Sequence, residues 1–533
     1  MTQELYWYWE PQVELTPVEE MILKKACKNR KLFEFLRKHR HLIFNREFQE
    51  ELCEMYRMTG AGLPPVPPAL MAMATLLQKY AGVSDNEVEA LLFADKRWQM
   101  VLDSLDQADT PFKQTTFFDF RIRLIETGTD KRILERTAQV ARETGGFSIR
   151  GLRLALDSGP LEGHGKVEDT VNLLGHAAKK AIQCLAKSIG LSVSELAEQM
   201  DCQLFDGSSI KAALDANWSN PQEKKEALHQ LYYEVEHLEL WLKENYPEAC
   251  ERGTLQETLK TIDVVLQQNL EWDSEGDGVV KFSKGVAPER QISVEDKEIR
   301  HGRKSSSKRI DGLKNHVARD LDGGIILAAI STAANRPDSE PAEELIEDAC
   351  ETGRDLESLH VDRQYLHSEK VIELEKSGVG LFCRSLTSSN RKGLFRKSEF
   401  ELDLEEMTAK CPNGQLVEIE LGKTVEFEAQ ECDKCPLREK CTSREKGGRT
   451  LHIHENEKLF QRLQTAENTS EGRKELRERV DVEHGLSHIV RRQGKKARYN
   501  GIRKNTFDLR MICAIQNLER AQAFEAEKLQ KAA

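Results

Sequence analysis

Three carboxylates in this sequence stand where α/β proteins hold catalytic acids. The apolar run LESLHV leads directly into Asp362, and the run GLRLAL leads directly into Asp157. Strand ends are where open sheets carry functional residues, although an Asp at such a point can also serve as a turn residue or a helix cap. Glu483 lies beside the apolar stripe of a late helical segment, four residues after Arg479. An ordinary helical ion pair would explain that last spacing equally well.

No Lys or Arg in the sequence obviously neutralises each of these three carboxylates. Together, Asp157, Asp362 and Glu483 would form a hard, all-oxygen site suited to two Mg²⁺ or Mn²⁺ ions. Two such ions activate water or a 3′-hydroxyl and stabilise the leaving oxygen in an in-line phosphoryl displacement. The sequence therefore predicts a two-metal site for phosphoryl transfer.

Four of the twelve cysteines fall between residues 411 and 441. They are Cys411, Cys432, Cys435 and Cys441, with the spacing C-x20-C-x2-C-x5-C. The C-x2-C pair lets two thiolates share one tetrahedral ion, and four soft ligands favour zinc or an iron–sulfur cluster. His452 and His454 are further candidate ligands. Four thiolates leave no open position, so such a metal would be structural; four reduced thiols in a small strand-rich insert are the alternative.

Basic residues gather in three segments although the chain as a whole is acidic. The formal net charge is −12, from 78 Lys and Arg against 90 Asp and Glu. Residues 24–46 hold nine basic side chains against Glu34 alone. Residues 300–319 hold seven against Asp311 alone, and residues 489–504 hold seven with no acid. Any one segment could be a solvated helix face, but three together favour a polyanion-binding surface.

The sequence predicts a cytoplasmic protein of several domains. No run approaches the roughly 20 apolar residues of a membrane span, and the start, MTQELYWYWEPQVEL, lacks the basic region and apolar core of a signal peptide. A chain of 533 residues exceeds one ordinary core. In the cytoplasm the cysteines are expected to stay reduced.

The elements that must position these groups alternate between helix and strand patterns. Residues 17–145 and 175–272 show helical spacing. Residues 316–335 read as a hairpin around Asp-Gly-Gly, 341–353 as a helix with a Gly stop, and 379–386 as a strand. A long helix is expected to carry Glu483. This order predicts an α/β core, a mixed sheet with helices packed on it.

Seven segments resemble bacterial insertion-sequence transposases of the DDE type. In chain order they are ALDSGPLEGHGKVEDTVNLL, EDKEIRHGRKSSSKRIDGLKNHVARD, STAANRPDSEPAEEL, LHVDRQYL, CDKCPLREKC, RVDVEHGLSHIV and ARYNGIRKNTFDLRMICAIQNLERA. Their number and order, over roughly residues 20–525, make the resemblance specific. It implies a ribonuclease H-like core in which Asp157, Asp362 and Glu483 are the catalytic metal ligands. It also implies metal-dependent cleavage at terminal inverted repeats and strand transfer into target DNA.

The resemblance further implies double-stranded DNA as the partner, a homodimer on that DNA, and action at the bacterial nucleoid. The expected DNA contacts are Arg303, Lys304, Lys308, Arg309, Lys314, Arg479, Arg491, Arg492, Lys495 and Lys496. Tyr365 fits the aspartate-x-x-tyrosine form of the family. Relatives often carry Tyr, Arg, Glu and Lys on the last helix, where this chain has Leu476, Arg479, Glu483 and Val490. Gly159 stands where Thr is common.

The expected organisation follows from these assignments. It is a helical DNA-binding domain (1–148), the first part of the catalytic core (149–174), a helical insert (175–295), the core with the second Asp (296–390), a Cys-rich insert that could bind zinc (391–460) and a helical part with the Glu (461–533). Two other functions use the same features. One is a ribonuclease H-like nuclease without strand transfer, and the other is an inactive or domesticated transposase that only binds DNA.

Overall fold

The computed structural model describes residues 7–56, 65–105, 107–144, 151–207, 209–272, 280–282, 289–304, 307–386 and 393–532. Within these ranges no helix is both long and apolar enough to cross a membrane. The domain boundaries expected near residues 148 and 390 lie outside the described residues.

The amino-terminal region is helical, as its apolar spacing predicted. Its helices are α1 (Pro17–Ala26), α2 (Lys31–Ile43), α3 (Arg46–Glu54), α4 (Pro68–Ala81), α5 (Asp85–Ala94), α6 (Lys96–Val101), α7 (Gln114–Thr127) and α8 (Asp130–Glu143). The first begins with a capping box, in which Thr16 and Glu19 each accept the other's backbone N–H. Helix α4 is apolar around most of its circumference and is buried along most of its length, which makes it the centre of this region.

The central part of the chain supplies a mixed sheet and a helical insert. In chain order the elements are β1 (Leu152–Glu162), α9 (Thr170–Ile189), α10 (Val193–Gln199), α11 (Ile210–Ala213), α12 (Pro221–Asn245), α13 (Pro247–Cys250), α14 (Gly253–Asn269), β2 (Leu270–Trp272), β3 (Val280–Phe282), β4 (Arg300–Arg303), β5 (Arg309–Asp320), β6 (Ile325–Ala333), α15 (Ala342–Cys350), β7 (Leu356–His360), α16 (Glu369–Lys376) and β8 (Gly380–Phe382). The hairpin predicted at 316–335 is confirmed as β5–β6, which starts earlier than expected.

The sheet runs in the order β6-β5-β1-β7-β8, with β4 paired to the beginning of β5. Strands β4, β5, β6 and β1 pair antiparallel, whereas β7 pairs parallel to both β1 and β8. The mixed sheet with flanking helices confirms the predicted α/β core.

The remaining elements form a small lobe and the carboxy-terminal helices. They are β9 (Glu401–Asp403), β10 (Thr408–Lys410), β11 (Leu416–Glu418), β12 (Thr424–Glu426), α17 (Ala429–Asp433), α18 (Arg438–Cys441), β13 (Thr450–His452), α19 (Glu457–Asn468), α20 (Ser470–Glu478), α21 (Val480–Gln493) and α22 (Ile502–Ala532). The Cys lobe, residues 393–456, has a small apolar core of its own, in which Phe400 and Phe427 pack together.

The amino-terminal helices and the sheet share one hydrophobic core. That core extends from Trp9 through the strands to Ala521 of α22, which packs along α8 and β6. An ionic contact accompanies it, since the fully buried Asp130 at the start of α8 pairs with Arg503 and Arg510 of α22. The insert is held by a separate core between α9, α12 and α14.

Two of the expected domain boundaries lie within helices. The boundary expected at 174 falls inside α9, and the one expected at 460 falls inside α19. The long helix expected around Glu483 is also interrupted at Arg479, which separates α20 from α21.

Part of the first basic segment is internal, which corrects the idea of a wholly exposed basic surface at 24–46. Arg37 is buried against Glu19, with its Nε 2.6 Å from the carboxylate. Arg40 is buried too; it pairs with Asp103 and donates to the Met100 carbonyl. These arginines satisfy internal acceptors, so charge density along the sequence overstated the surface charge.

Candidate active site

The first two carboxylates are brought together by the parallel pairing of β1 with β7. Ala155 is paired with His360, and Asp157 and Asp362 each lie two residues further along their strands. Strand β7 ends at His360, so Asp362 leaves the sheet. It caps the short 3₁₀ helix that follows, because its side chain accepts the Arg363 N–H. Asp362 therefore follows a strand end and also acts as a helix cap.

Asp157 does not end its strand, contrary to the prediction. Strand β1 continues to Glu162 because β5 is long enough to pair with it throughout, with Asp157 opposite Val317. The parallel partner β7 has already ended at this level. At Asp157, β1 is therefore still paired with β5 on one side but no longer with β7 on the other. The Asp157 side chain is 15% exposed.

The third carboxylate is supplied by α21, which packs on β1 and β5. Val482, Leu486 and Ile489 are buried, as their spacing predicted. They form the helix face that is directed toward the sheet. Glu483 follows Val482 at the edge of that face, and its side chain is 49% exposed.

Arg479 pairs with two of the three carboxylates, which corrects the expectation that no basic side chain neutralises them. Its Nη1 lies 3.2 Å from Asp157 Oδ1, and its Nη2 donates to Glu483 Oε1 at 2.7 Å. The predicted helical ion pair is therefore present, and it extends to Asp157. The sequence could not reveal this second contact because Arg479 and Asp157 are far apart along the chain.

The carboxylates influence one another electrostatically. Burial raises the pKa of Asp157 above its usual value, and the negative charges of Glu483 and Asp362 act in the same direction. The Arg479 guanidinium and the Ser158 N–H oppose this rise in the pKa without cancelling it. Such a cluster favours the binding of cations, because a positive charge relieves the repulsion among the carboxylates.

All three carboxylates line one open cleft of about 1600 Å³. That volume exceeds the roughly 300–1,000 Å³ of small-molecule pockets. The other charged residues on its walls are Arg303, Lys304, Lys314, Asp338, Arg363, Arg384, Glu467, Arg473, Arg477 and Arg479. A cleft of this size, lined by both carboxylates and basic side chains, suits an extended polyanion better than a small metabolite.

The structure separates the ten predicted DNA contacts into groups. Arg303, Lys304, Lys314 and Arg479 line the cleft. Two of those four already have acidic partners within the cleft, since Lys314 pairs with Asp338 at 2.6 Å and Arg479 pairs with Asp157 and Glu483.

The other six predicted contacts are not among the residues that line the cleft. Arg309 pairs with Asp311 at 2.6 Å, and Arg492 pairs with Glu519 at 2.8 Å. Arg309 is nevertheless exposed, as are Lys308, Arg491, Lys495 and Lys496.

Sequence reasoning missed six charged residues of the cleft. They are Asp338, Arg363, Arg384, Glu467, Arg473 and Arg477. Arg473 and Arg477 alternate with acids in RKELRER, so they form no basic run. Arg384 is a single cation after β8. The signal that could have found these arginines is their nearness in sequence to the second Asp and to the Glu.

The four cysteines of the Cys lobe converge on one small pocket of about 280 Å³. All four are free thiols. The backbone N–H of Gln415 donates to Cys411 Sγ at 3.3 Å, and that of Leu437 donates to Cys435 Sγ at 3.4 Å. Arg438 and Arg449 also line the pocket, whereas His452 and His454 do not.

Neither the carboxylates nor the thiols are drawn together tightly. Across the described ranges, no group of three or more His, Cys, Asp or Glu side chains is arranged to hold a metal ion. In the cleft, the Arg479 guanidinium pairs with two of the three carboxylates.

Two comparisons with family models bear on identity. Residues 405–522 match the model described as Transposase DDE domain, and residues 22–123 match the one described as Transposase domain (DUF772). The first match contains Glu483 and the four cysteines of the Cys lobe, and neither contains Asp157 or Asp362. No curated protein and no solved structure matches the chain. With one transposase match toward each end of the chain, the resemblance to insertion-sequence transposases of the DDE type is confirmed.

Proposed function

We propose that the chain is a transposase that cleaves DNA at the ends of an insertion sequence and joins those ends to target DNA by in-line phosphoryl transfer. Asp157, Asp362 and Glu483 would be its catalytic carboxylates. One observation carries the proposal: three acids from three separate elements meet in one cleft, in a chain with two transposase matches.

The sheet supports a ribonuclease H-like identity for the core. Asp157 lies on β1, the strand between the antiparallel and the parallel parts of the sheet. Asp362 follows the adjacent parallel strand, and Glu483 comes from a later helix that packs on β1. This is the arrangement that the family resemblance implies for a DDE core.

The donor set fits Mg²⁺ or Mn²⁺, because three carboxylates are hard oxygen ligands. Asp157, Asp362 and Glu483 would hold the ions once Arg479 has withdrawn. When bound, two such ions would activate water or a 3′-hydroxyl and stabilise the leaving oxygen. The chain's own contribution is to hold the carboxylates on β1, at the end of β7 and on α21. Before the ions bind, Arg479 would supply a positive charge that reduces the repulsion among the carboxylates.

The cleft walls fit a DNA backbone. Arg303 ends β4 and Lys304 follows it, whereas Arg384, Arg473 and Arg477 come from segments near Asp362 and Glu483. In the part of the chain that the structure describes, none of these five forms an ion pair. Phosphates would therefore meet cations that need not first leave an acidic partner. A protein that joins two element ends is expected to act as a dimer on DNA, in the bacterial cytoplasm.

The direct test is cleavage of a labelled element end, in Mg²⁺, by the wild type and by Asp157→Asn, Asp362→Asn and Glu483→Gln. We expect each variant to bind DNA normally and to lose cleavage. Glu467→Gln is the matched control, because Glu467 is a carboxylate of the same cleft outside the proposed triad. A variant that still cleaves would remove its carboxylate from the catalytic set.

The same assay separates the alternatives. Cleavage without joining to added target DNA would assign a nuclease rather than a transposase. DNA binding without cleavage, in both Mg²⁺ and Mn²⁺, would assign an inactive or domesticated transposase.

We also propose that the Cys lobe binds a structural zinc ion through Cys411, Cys432, Cys435 and Cys441. The two N–H···S hydrogen bonds stabilise thiolates, and Arg438 and Arg449 would offset the charge of a four-thiolate site. The lobe has strands of only three residues and a small core, and structures of that size usually need a metal or disulfides. The thiols would have to turn inward to reach one centre.

Elemental analysis of the purified chain tests this proposal. About one zinc per chain is expected, with loss of zinc and faster proteolysis of the lobe in Cys432→Ser. Cys184→Ser, outside the lobe, should change neither. Iron with inorganic sulfide would assign a cluster instead, and metal-free protein with a protease-resistant lobe would reject a metal altogether.

A further inference from the structure

The cleft contains a carboxylate that the proposed chemistry does not use. Asp338 lies after β6, 180 residues from Ser158 in sequence, yet Ser158 Oγ donates to Asp338 Oδ2 at 2.7 Å. Its other oxygen, Oδ1, accepts from Lys314 Nζ at 2.6 Å. Lys314 is itself fixed by a further hydrogen bond, 2.8 Å long, to the carbonyl of Arg336.

Ser158 connects this contact to the proposed catalytic site. Its backbone N–H donates to Asp157 Oδ1 at 2.9 Å. The described side chains therefore form a continuous series from Lys314 through Asp338 and Ser158 to Asp157. Because β7 ends at His360, β1 has lost its parallel neighbour at this level. The hydrogen bond from Ser158 Oγ to Asp338 supports β1 at the level where it has no parallel neighbour.

Asp338 is poorly suited to act as a metal ligand or a general base. Both of its oxygens already accept hydrogen bonds, one of them from a cation. Burial alone would raise the pKa of Asp338, but the hydrogen bonds from Lys314 and Ser158 hold it below the usual value. The group therefore stays ionised near neutral pH. An ionised carboxylate is a strong acceptor, which suits it to fix a hydroxyl group.

We propose that Asp338 is a positioning residue that acts through Ser158, fixing the N–H that orients the Asp157 carboxylate for a divalent cation. The inference rests on the proposed function, because it assumes that Asp157 binds metal. Partners of this kind typically change metal affinity by about 10–100-fold when they are removed. Lys314, predicted as a DNA contact, then has the different role of holding Asp338 in place.

The test is Mn²⁺ binding to the full-length protein without DNA, measured by calorimetry, for Asp338→Asn, Ser158→Ala and the double variant. Each single change should weaken binding by about 10-fold or more, and the double variant should be no weaker than the worse single one. Ser158→Thr keeps the hydroxyl and should retain wild-type affinity. Glu340→Gln, an exposed acid two residues from Asp338, is the matched control.

Three outcomes would contradict the proposal, in distinguishable ways. If the double variant loses Mn²⁺ affinity by the product of the two single-variant factors, Asp338 does not act through Ser158. If Asp338→Asn and Ser158→Ala bind Mn²⁺ normally while Asp157→Asn does not, the positioning role is rejected and the proposed function stands. If Asp157→Asn also binds normally, the proposed metal site is rejected together with the positioning role. Should Asp338→Asn fail to fold, the Mn²⁺ affinities of Ser158→Ala and Ser158→Thr still decide whether the Ser158 hydroxyl has the positioning role.

Discussion

Replacing Arg479 by Gln should make the free protein bind divalent cations more tightly. The Arg479 guanidinium contacts Asp157 and Glu483 at 3.2 Å and 2.7 Å, so it occupies the position from which a metal ion would contact both carboxylates. A cation that binds there must first break these two ion pairs. The glutamine amide can accept a hydrogen bond and donate one, but it carries no charge that competes with the metal.

The size of the effect follows from the exposure of the partners. The Glu483 side chain is 49% exposed, so its ion pair is worth about 0.5 kcal/mol. Asp157 is 15% exposed, and its pair with Arg479 is worth about 1 kcal/mol. Together they oppose metal binding by about 1.5 kcal/mol, which corresponds to a roughly ten-fold change in the dissociation constant.

The assay is a Mn²⁺ titration of the DNA-free protein, followed by calorimetry or by the electron paramagnetic resonance of free Mn²⁺. Arg477→Gln is the control, because Arg477 lines the same cleft and forms no ion pair within the described ranges. It removes one positive charge without releasing a carboxylate. We expect tighter binding in Arg479→Gln and a much smaller gain in Arg477→Gln.

Two results would refute this reasoning. Equal gains in both variants would assign the effect to the overall charge of the cleft rather than to competition at the carboxylates. Unchanged or weaker binding in Arg479→Gln would show that the guanidinium supports the geometry of the site instead of competing for it.

Three further predictions concern stability. Asp157→Asn should melt at or above the wild-type temperature at pH 7, because the raised pKa of Asp157 means that its ionisation destabilises the folded state. In melts from pH 4 to 8, the difference in melting temperature between the variant and the wild type should shrink as the pH falls. Asp130→Asn should lower the free energy of unfolding in urea by about 3–5 kcal/mol, because it leaves Arg503 and Arg510 without their buried partner, and an unchanged midpoint would reject that role. Tyr365→Phe should raise the free energy of unfolding by about 1 kcal/mol, because the Tyr365 hydroxyl is buried and has no hydrogen-bond partner among the described residues. A lower free energy of unfolding would show that the hydroxyl makes a hydrogen bond in solution.

The alternation of apolar runs and turn signals was enough to predict the α/β core. The β5–β6 hairpin follows from two apolar runs around Asp-Gly-Gly, where Gly324 adopts a positive φ of 68°. Local patterns also showed that Asp157 and Asp362 each follow a short apolar run, but the parallel pairing of β1 with β7 that brings them together is a long-range contact. Strand ends were placed less well, because the length of β1 depends on its partner β5.

Long-range pairing of charges could not be predicted. Arg37 and Arg40 belong to a basic run in the sequence, but they are buried against acceptors elsewhere in the chain. Lys314 likewise pairs with Asp338, whereas Arg477 stands among acids in the sequence and faces the cleft. Whether a charge is available to a partner is a property of its three-dimensional neighbours, which the local sequence does not specify.

The sequence by itself determined which carboxylates are candidates, the α/β character of the core and the grouping of the four cysteines, because each of these is encoded by residue type and short spacing. The tertiary structure alone decided that Arg479 bridges Asp157 and Glu483, and that Asp338 reaches Ser158 across 180 residues. Those contacts depend on how β1, β5 and α21 pack, and the packing arises from the hydrophobic core as a whole. No local pattern encodes it.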